Sequence, residues 1–219
     1  MHSCILFDLD GTLLDTSHDL VTALNQLLKK NQLPTIPFHI ARPYAGHGCR
    51  GLLKIGMNID HDHPSYPTLV HELLDFYEKH LFDATRLFSG MDIVLTHLEK
   101  NNIPWGIVTN KPKRFTDPLV KKLGLAQRTS CIISGDTLST RKPNPETILH
   151  ACNLLNAHPQ HSIYIGDTET DVIASKAAGI KSLIALYGYI REDENPYDWQ
   201  ATGYIKNPEE IIPWTEKTA

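Results

Sequence analysis

The chain has 219 residues, 41% of them hydrophobic and 21% charged, with a formal net charge of -4. That is enough for one good core, or a core with a smaller insert, and it offers no basic face for a nucleic acid. No stretch approaches the roughly 18–20 continuous apolar residues of a membrane helix, so no membrane partner is expected.

The first strand pattern is CILF (4–7), which runs straight into Asp8, Leu9, Asp10, Gly11 and Thr12. It stands almost at the start, without a basic segment or a cleavable apolar run, so no signal peptide is expected. Cys4, Cys49, Cys131 and Cys152 are widely spaced and form no CxxC pair. They read as free thiols in a reducing cytoplasm. From residue 16 to about 82 no convincing strand follows. SHDLVTALNQLLKKN (17–31) places Leu20, Val21, Leu24, Leu27 and Leu28 at helical spacing. The stretch 33–56 is rich in Pro and Gly, and PTLVHELLDFYEKHL (67–81) is helical again. This section reads as a helical insert placed directly after the first strand.

Beyond it the patterns alternate. MDIVLTHLEKNN (91–102) reads as a helix and IPWGIV (103–108) as a strand. PLVKKLGL (118–125), helical with Gly124 near its end, leads to the strand SCIIS (130–134). PETILHACNLLN (145–156) opens on Pro145, a good first-turn residue, and leads to SIYIG (162–166). DVIASKAAG (171–179) closes on Gly179, a left-handed cap, and leads to KSLIALYGY (181–189) and a weaker strand, TGYIK (202–206). The tail 207–219 reads as a last short helix that frays. Continuous apolar strands suit a parallel sheet covered on both faces. The expectation is therefore an α/β protein: a doubly wound, Rossmann-like parallel sheet made of residues 1–15 and 83–219, with an all-helical insert of residues 16–82.

In such a sheet, ligands bind beyond the carboxyl ends of the strands. Those ends carry Asp8 and Asp10, then Thr109, Asn110 and Lys111, then Gly166 and Asp167 with Asp171 four residues on. The loop after 130–134 adds Arg141, Lys142 and Pro143. Side chains at i and i+2 of a strand share a face, so Asp8 and Asp10 are expected in one small volume. Two carboxylates ~4 Å apart repel by about 4 kcal/mol at an effective dielectric of about 20. A divalent cation removes that cost, and oxygen ligands of this kind suit Mg2+, which takes carboxylates together with a phosphate oxygen.

DLDGT (8–12), VTN (108–110), RKPNP (141–145) and GDTETD (166–171) are similar to the four ordered motifs of the haloacid dehalogenase superfamily of phosphohydrolases. The resemblance covers essentially the whole chain, and the helical insert resembles that family's cap domain. It implies Asp8 as nucleophile, forming an aspartyl-phosphate, and Asp10 as the acid and then the base. It implies that Thr109 and Asn110 bind the phosphoryl group and that Lys142 neutralises charge on nucleophile and phosphate. Asp167 would bind Mg2+ with Asp8 and the backbone carbonyl of Asp10. Gly11 would allow the sharp turn after the strand, with Thr12 and Gly166 completing their motifs. Asp171 would support the metal, orient Lys142, or simply favour a helix N-terminus. A halide leaves without a proton, so an acid at Asp10 favours a phosphatase over a dehalogenase.

The insert is expected to choose the substrate, a small phosphorylated metabolite. Arg50, in AGHGCRGL (45–52), is a candidate for a substrate carboxylate, and equally a surface residue on a helix. LFSGM (87–91), TNKP (109–112) and YGYI (187–190) resemble the phosphoglycolate phosphatase group. WGIVTNKPKRF (105–115) and GYIREDENPYDW (188–199) resemble its subgroup acting on N-acetylmuramic acid 6-phosphate. Phosphoglycolate phosphatase is the leading expectation and the amino-sugar enzyme the alternative. A further alternative is a non-catalytic relative that binds a phosphorylated ligand. Lys111, Lys113 and Arg114 read as surface charge near the site mouth, and His61-Asp62-His63 as a solvated loop. Nothing in the pattern sets an oligomeric state.

Overall fold

In a computed structural model of the chain, residues 3–129 and 131–215 are described. Strand β1 (Ile5–Phe7) is wholly buried because every residue in it is apolar. It pairs in parallel with β4 (Trp105–Val108) on one side and β6 (Ile163–Gly166) on the other. With β5 (Ile132–Ile133), β7 (Lys181–Ala185) and β8 (Gly203–Ile205), the described residues form one parallel sheet in the order β5-β4-β1-β6-β7-β8. The pleat divides β1 between two cores. Ile5 and Phe7 join Met91, Val94, Leu95 and Leu98 of helix α5 (Met91–Lys100). Leu6 joins Ile148, Ala151 and Cys152 of α7 (Glu146–Leu154) and Ala174 and Ala178 of α8 (Glu169–Ala178). The sheet is therefore covered on both faces, as the continuous apolar strands require.

Most expected elements differ by a few residues at their ends, and two differ for a structural reason. The strand expected over 181–189 ends at Ala185, because the chain turns there: the Gly188 amide donates to the Ala185 carbonyl, which buries Tyr189 against the carboxyl end of the sheet. The helix expected from Pro118 is α6 (Lys113–Lys122), which starts earlier and carries Pro118 inside it. The tail forms a short α9 (Ile212–Thr215), and the expected fraying of 216–219 lies outside the described residues.

The insert contains α1 (Ser17–Lys30), α2 (Phe38–Ala41), α3 (Gly48–Met57) and α4 (Tyr66–Lys79). Leu20, Leu24, Leu27, Leu28, Leu52, Leu53, Leu69 and Leu73 give it a core of its own, which Phe115 and Tyr189 of the sheet-bearing part join. The chain enters it through β2 (Leu14–Asp15) and leaves through β3 (Arg86–Leu87), which pair antiparallel. Strands of two residues carry no periodic signal, so this stem was not expected from the sequence. Asp19 of α1 closes the stem by accepting from the Ala84 and Thr85 amides and the Thr85 hydroxyl. Among the described residues, no helix is long and apolar enough to cross a membrane, and all four cysteines are free thiols.

Candidate active site

Asp8 is the residue after β1, and its amide still donates to the Ile165 carbonyl, so the sheet fixes its backbone. Its Oδ1 accepts from the Leu9 amide at 2.7 Å and lies 3.0 Å from Lys142 Nζ. Lys142 also donates to Asp171 Oδ1 and to Tyr164 Oη, each at 2.7 Å. Tyr164 in turn donates to the Val108 carbonyl. The loop that carries Lys142 is clasped by Asn110, whose side-chain amide accepts from the Lys142 amide and donates to its carbonyl. The Asn110 side chain, expected on the phosphoryl group, thus places Lys142 with its oxygen and one of its two amide protons.

Asp10 has a different partner. Lys111 Nζ donates to both its oxygens, at 2.9 and 3.1 Å, and the Thr16 hydroxyl donates to Oδ1 at 2.6 Å. Lys111 also donates to Tyr77 Oη of α4 at 2.8 Å. Its side chain is only 6% exposed, which corrects the expectation of a surface charge. The cause is part local and part distant: the Lys111 amide turns back onto Thr109 Oγ1, and Tyr77 of α4 covers the ammonium. Lys113 and Arg114 are exposed, as expected.

The repulsion expected between Asp8 and Asp10 is thus relieved by two lysines, one for each carboxylate. The uncompensated group is Asp167. It is buried at the end of β6 and accepts from the Thr12 hydroxyl at 3.0 Å and the Tyr189 amide at 2.8 Å, with no lysine. A Cβ at Gly11, whose φ is +81°, would collide with its carboxylate, as would one at Gly188. A Cβ at Gly166 would collide with Asp171. The glycines are therefore required by close approach as well as by the turn.

Asp171 does two of the things expected of it. Its Oδ2 accepts from the Thr168 amide and hydroxyl in a capping box that starts α8, while its Oδ1 holds Lys142. Among the described residues, Asp8, Asp167 and Asp171 are the one group of three such side chains close enough to share a metal ion, with ligand atoms within 4.8 Å of one another. Burial pushes Asp8 up to about 6, Lys142 opposing and Asp171 reinforcing. Burial, then Asp8 and Asp171, raise Asp167 well above the usual carboxylate range. Burial alone would lower Lys142 and Lys111, yet Asp171 and Asp8 hold the first up, and Asp10 and Tyr77 the second. Four carboxylates meet two ammonium groups here, an excess of two negative charges when all are ionised. An all-oxygen donor set with that deficit fits a hard divalent cation.

Thr109 is buried, its hydroxyl oxygen accepting the Lys111 amide. Arg50 is not brought to this cluster. It stands on α3 with its side chain 59% exposed, in a two-point pair with Asp60. The His61-Asp62-His63 loop is exposed, as expected. Tyr77, Tyr164, Thr16 and Tyr189 were not singled out from the sequence. Tyr164 had a signal: a tyrosine within an otherwise aliphatic buried strand needs a partner for its hydroxyl.

The family model for haloacid dehalogenase-like hydrolases matches residues 5–185. A phosphoglycolate phosphatase of Xanthomonas campestris is 38% identical over 207 residues, 94% of this chain and 93% of that protein. An N-acetylmuramic acid 6-phosphate phosphatase of Pseudomonas putida is 34% identical over the same shares of each chain. Among solved structures, a haloacid dehalogenase-like family hydrolase of Streptococcus pneumoniae shares the fold, with a TM-score of 0.82 and 22% identity over 97% of this chain and 98% of that one. With its four motifs gathered at the carboxyl ends of β1, β4, β5 and β6, this chain belongs to the haloacid dehalogenase-like hydrolase family.

Proposed function

We propose that the chain is a Mg2+-dependent phosphatase that hydrolyses a small phosphate monoester through an aspartyl-phosphate on Asp8. The observation that carries this reading is the separate holding of the two carboxylates beside Asp167. Lys142 and the Leu9 amide hold Asp8 Oδ1, so Oδ2 is the oxygen that attacks phosphorus. Asp10, 20% exposed at its side chain, gives a proton to the leaving oxygen. It then takes one from the water that hydrolyses the intermediate. Lys142 offsets charge on the nucleophile and the transferring group, and Thr109 turns its hydroxyl proton to a phosphoryl oxygen. Asn110 fixes Lys142 and turns its second amide proton to the phosphoryl group. Asp8, Asp167 and the backbone carbonyl of Asp10 would hold Mg2+, which supplies charge neutralisation for the phosphoryl group. Phosphoryl transfer asks mainly for such positioning and charge stabilisation. Residues 16–82 are the cap over this site.

The substrate reading is 2-phosphoglycolate, hydrolysed to glycolate and phosphate. A second reading, N-acetylmuramic acid 6-phosphate, has the support of a similar relative with that name. The two readings are tested by phosphate release measured with both esters in parallel, with a chelator and Asp8→Asn as controls. A clear preference in kcat/KM names the substrate. Retained activity in a folded Asp8→Asn protein sinks the mechanism.

A further inference from the structure

We propose that Lys111 is a positioning residue for Asp10, and that Tyr77 of the insert makes it one. This inference rests on the phosphatase reading and deepens it. An ammonium group has three protons to donate. Those of Lys111 meet three oxygens at hydrogen-bond distance: Asp10 Oδ1, Asp10 Oδ2 and Tyr77 Oη. None is left over for a phosphoryl oxygen. The backbone of Lys111 is equally committed. Its amide donates to Thr109 Oγ1, and its carbonyl accepts from the Gly135 amide and the Thr116 hydroxyl. The ammonium therefore has one place to be, straddling the Asp10 carboxylate and fixing its plane.

The third contact crosses from the sheet-bearing part to the insert. Tyr77 lies in α4, is 1% exposed, and packs its ring against Phe115 with centroids 5.3 Å apart. With the insert seated, the Asp10–Lys111 pair is shielded, and buried charge-assisted hydrogen bonds are strong and directional. With the insert lifted, water replaces Tyr77, and a solvated pair holds a carboxylate only loosely. The proton donor is thus aimed only when the insert covers the substrate, which restricts leaving-group protonation to the closed site.

The test is the single-turnover rate of leaving-group release from two probes. One is whichever alkyl ester, 2-phosphoglycolate or N-acetylmuramic acid 6-phosphate, the wild type turns over faster. The other is p-nitrophenyl phosphate, whose leaving group departs without a proton. Lys111→Met is expected to slow the alkyl ester by about 100-fold and p-nitrophenyl phosphate by less than about fivefold, with KM little changed. Tyr77→Phe keeps the ring against Phe115 and removes only the acceptor. It is expected to slow the alkyl ester alone, by about fivefold, and it serves where Lys111→Met does not fold. An equal loss on both probes overturns the inference, as does a raised KM at constant rate, because Lys111 would then bind substrate. So does a Tyr77→Phe protein indistinguishable from wild type. A wild-type chain that turns over none of these esters overturns the phosphatase reading and this inference with it. An active wild type with any of the failing variants overturns this inference alone.

Discussion

The two halves of the DxD pair are held by matching sets of groups in unmatched places. Asp8 has Lys142 and the Tyr164 hydroxyl; Asp10 has Lys111 and the Tyr77 hydroxyl. The first set lies wholly within the sheet-bearing part, on β6 and on the loop after β5. The second spans the seam, with Tyr77 in α4 and Thr16 at the start of α1 both belonging to the insert. The difference would separate the two tasks of the proposed reaction. On the proposed mechanism, the nucleophile would be organised whatever the insert does, and the proton donor by the insert's arrival.

Replacing Asp8 by Asn tests the fixed half most severely. Phosphate release is expected to vanish, while circular dichroism and the melting temperature show an intact fold. Lys142→Met comes next, because it leaves Asp8 and Asp171 as buried charges without a cation. Removing one partner of such a pair costs about 3–5 kcal/mol, so a melting temperature lowered by several degrees is expected together with lost activity. A small shift would mean that Tyr164 and the capping box hold the site without the lysine.

A pH series sharpens the same contrast. Asp8 titrates near 6 in the folded chain against 3.8 ordinarily, because burial disfavours its charge. The folded state therefore binds that proton more tightly than the unfolded state. The stability this group contributes is present below about pH 4 and is lost as pH rises through about 6. In metal-free buffer, the melting temperature of Asp8→Asn minus that of wild type is expected to grow between pH 4 and 6 and then level off. Saturating Mg2+ should reduce that slope by favouring the carboxylate. A difference independent of pH would show that Lys142 alone neutralises Asp8. The smallest effect is expected at Arg50, whose pair with Asp60 is exposed. Arg50→Gln should change kcat/KM by less than about threefold on either ester. A larger rise in KM would return Arg50 to the substrate site.

How much of this was legible in the sequence follows the same division. Asp8, Asp10 and Asp167 were readable because they follow apolar runs whose ends the sheet's geometry brings together, and Lys142, in a loop well beyond its strand, only through the likeness of RKPNP to a family motif. The partners of Asp10 were not. Lys111 is polar and lies in a loop, so residue type alone assigns it to the surface; its burial depends on Tyr77, 34 positions away across the insert. The overlong strand at 181–189 failed for a related reason. Tyr187 and Tyr189 continue an apolar pattern, yet the backbone turns at Ala185 so that the Tyr189 amide can reach Asp167. Contacts between distant segments overrode local pattern in both places.

The stem has a consequence for how such a chain can diversify. The insert leaves at Asp15 and returns at Arg86, and these residues sit opposite one another in the β2–β3 ladder. To the sheet, everything between them is a detour that ends where it began. The entropy of closing such a detour grows only slowly with its length. Segments of other sizes can therefore be exchanged at this doorway while β1, β4 and β6 keep their register. A chimaera carrying a relative's segment between residues 15 and 86 should inherit that relative's choice of ester and keep this chain's nucleophile.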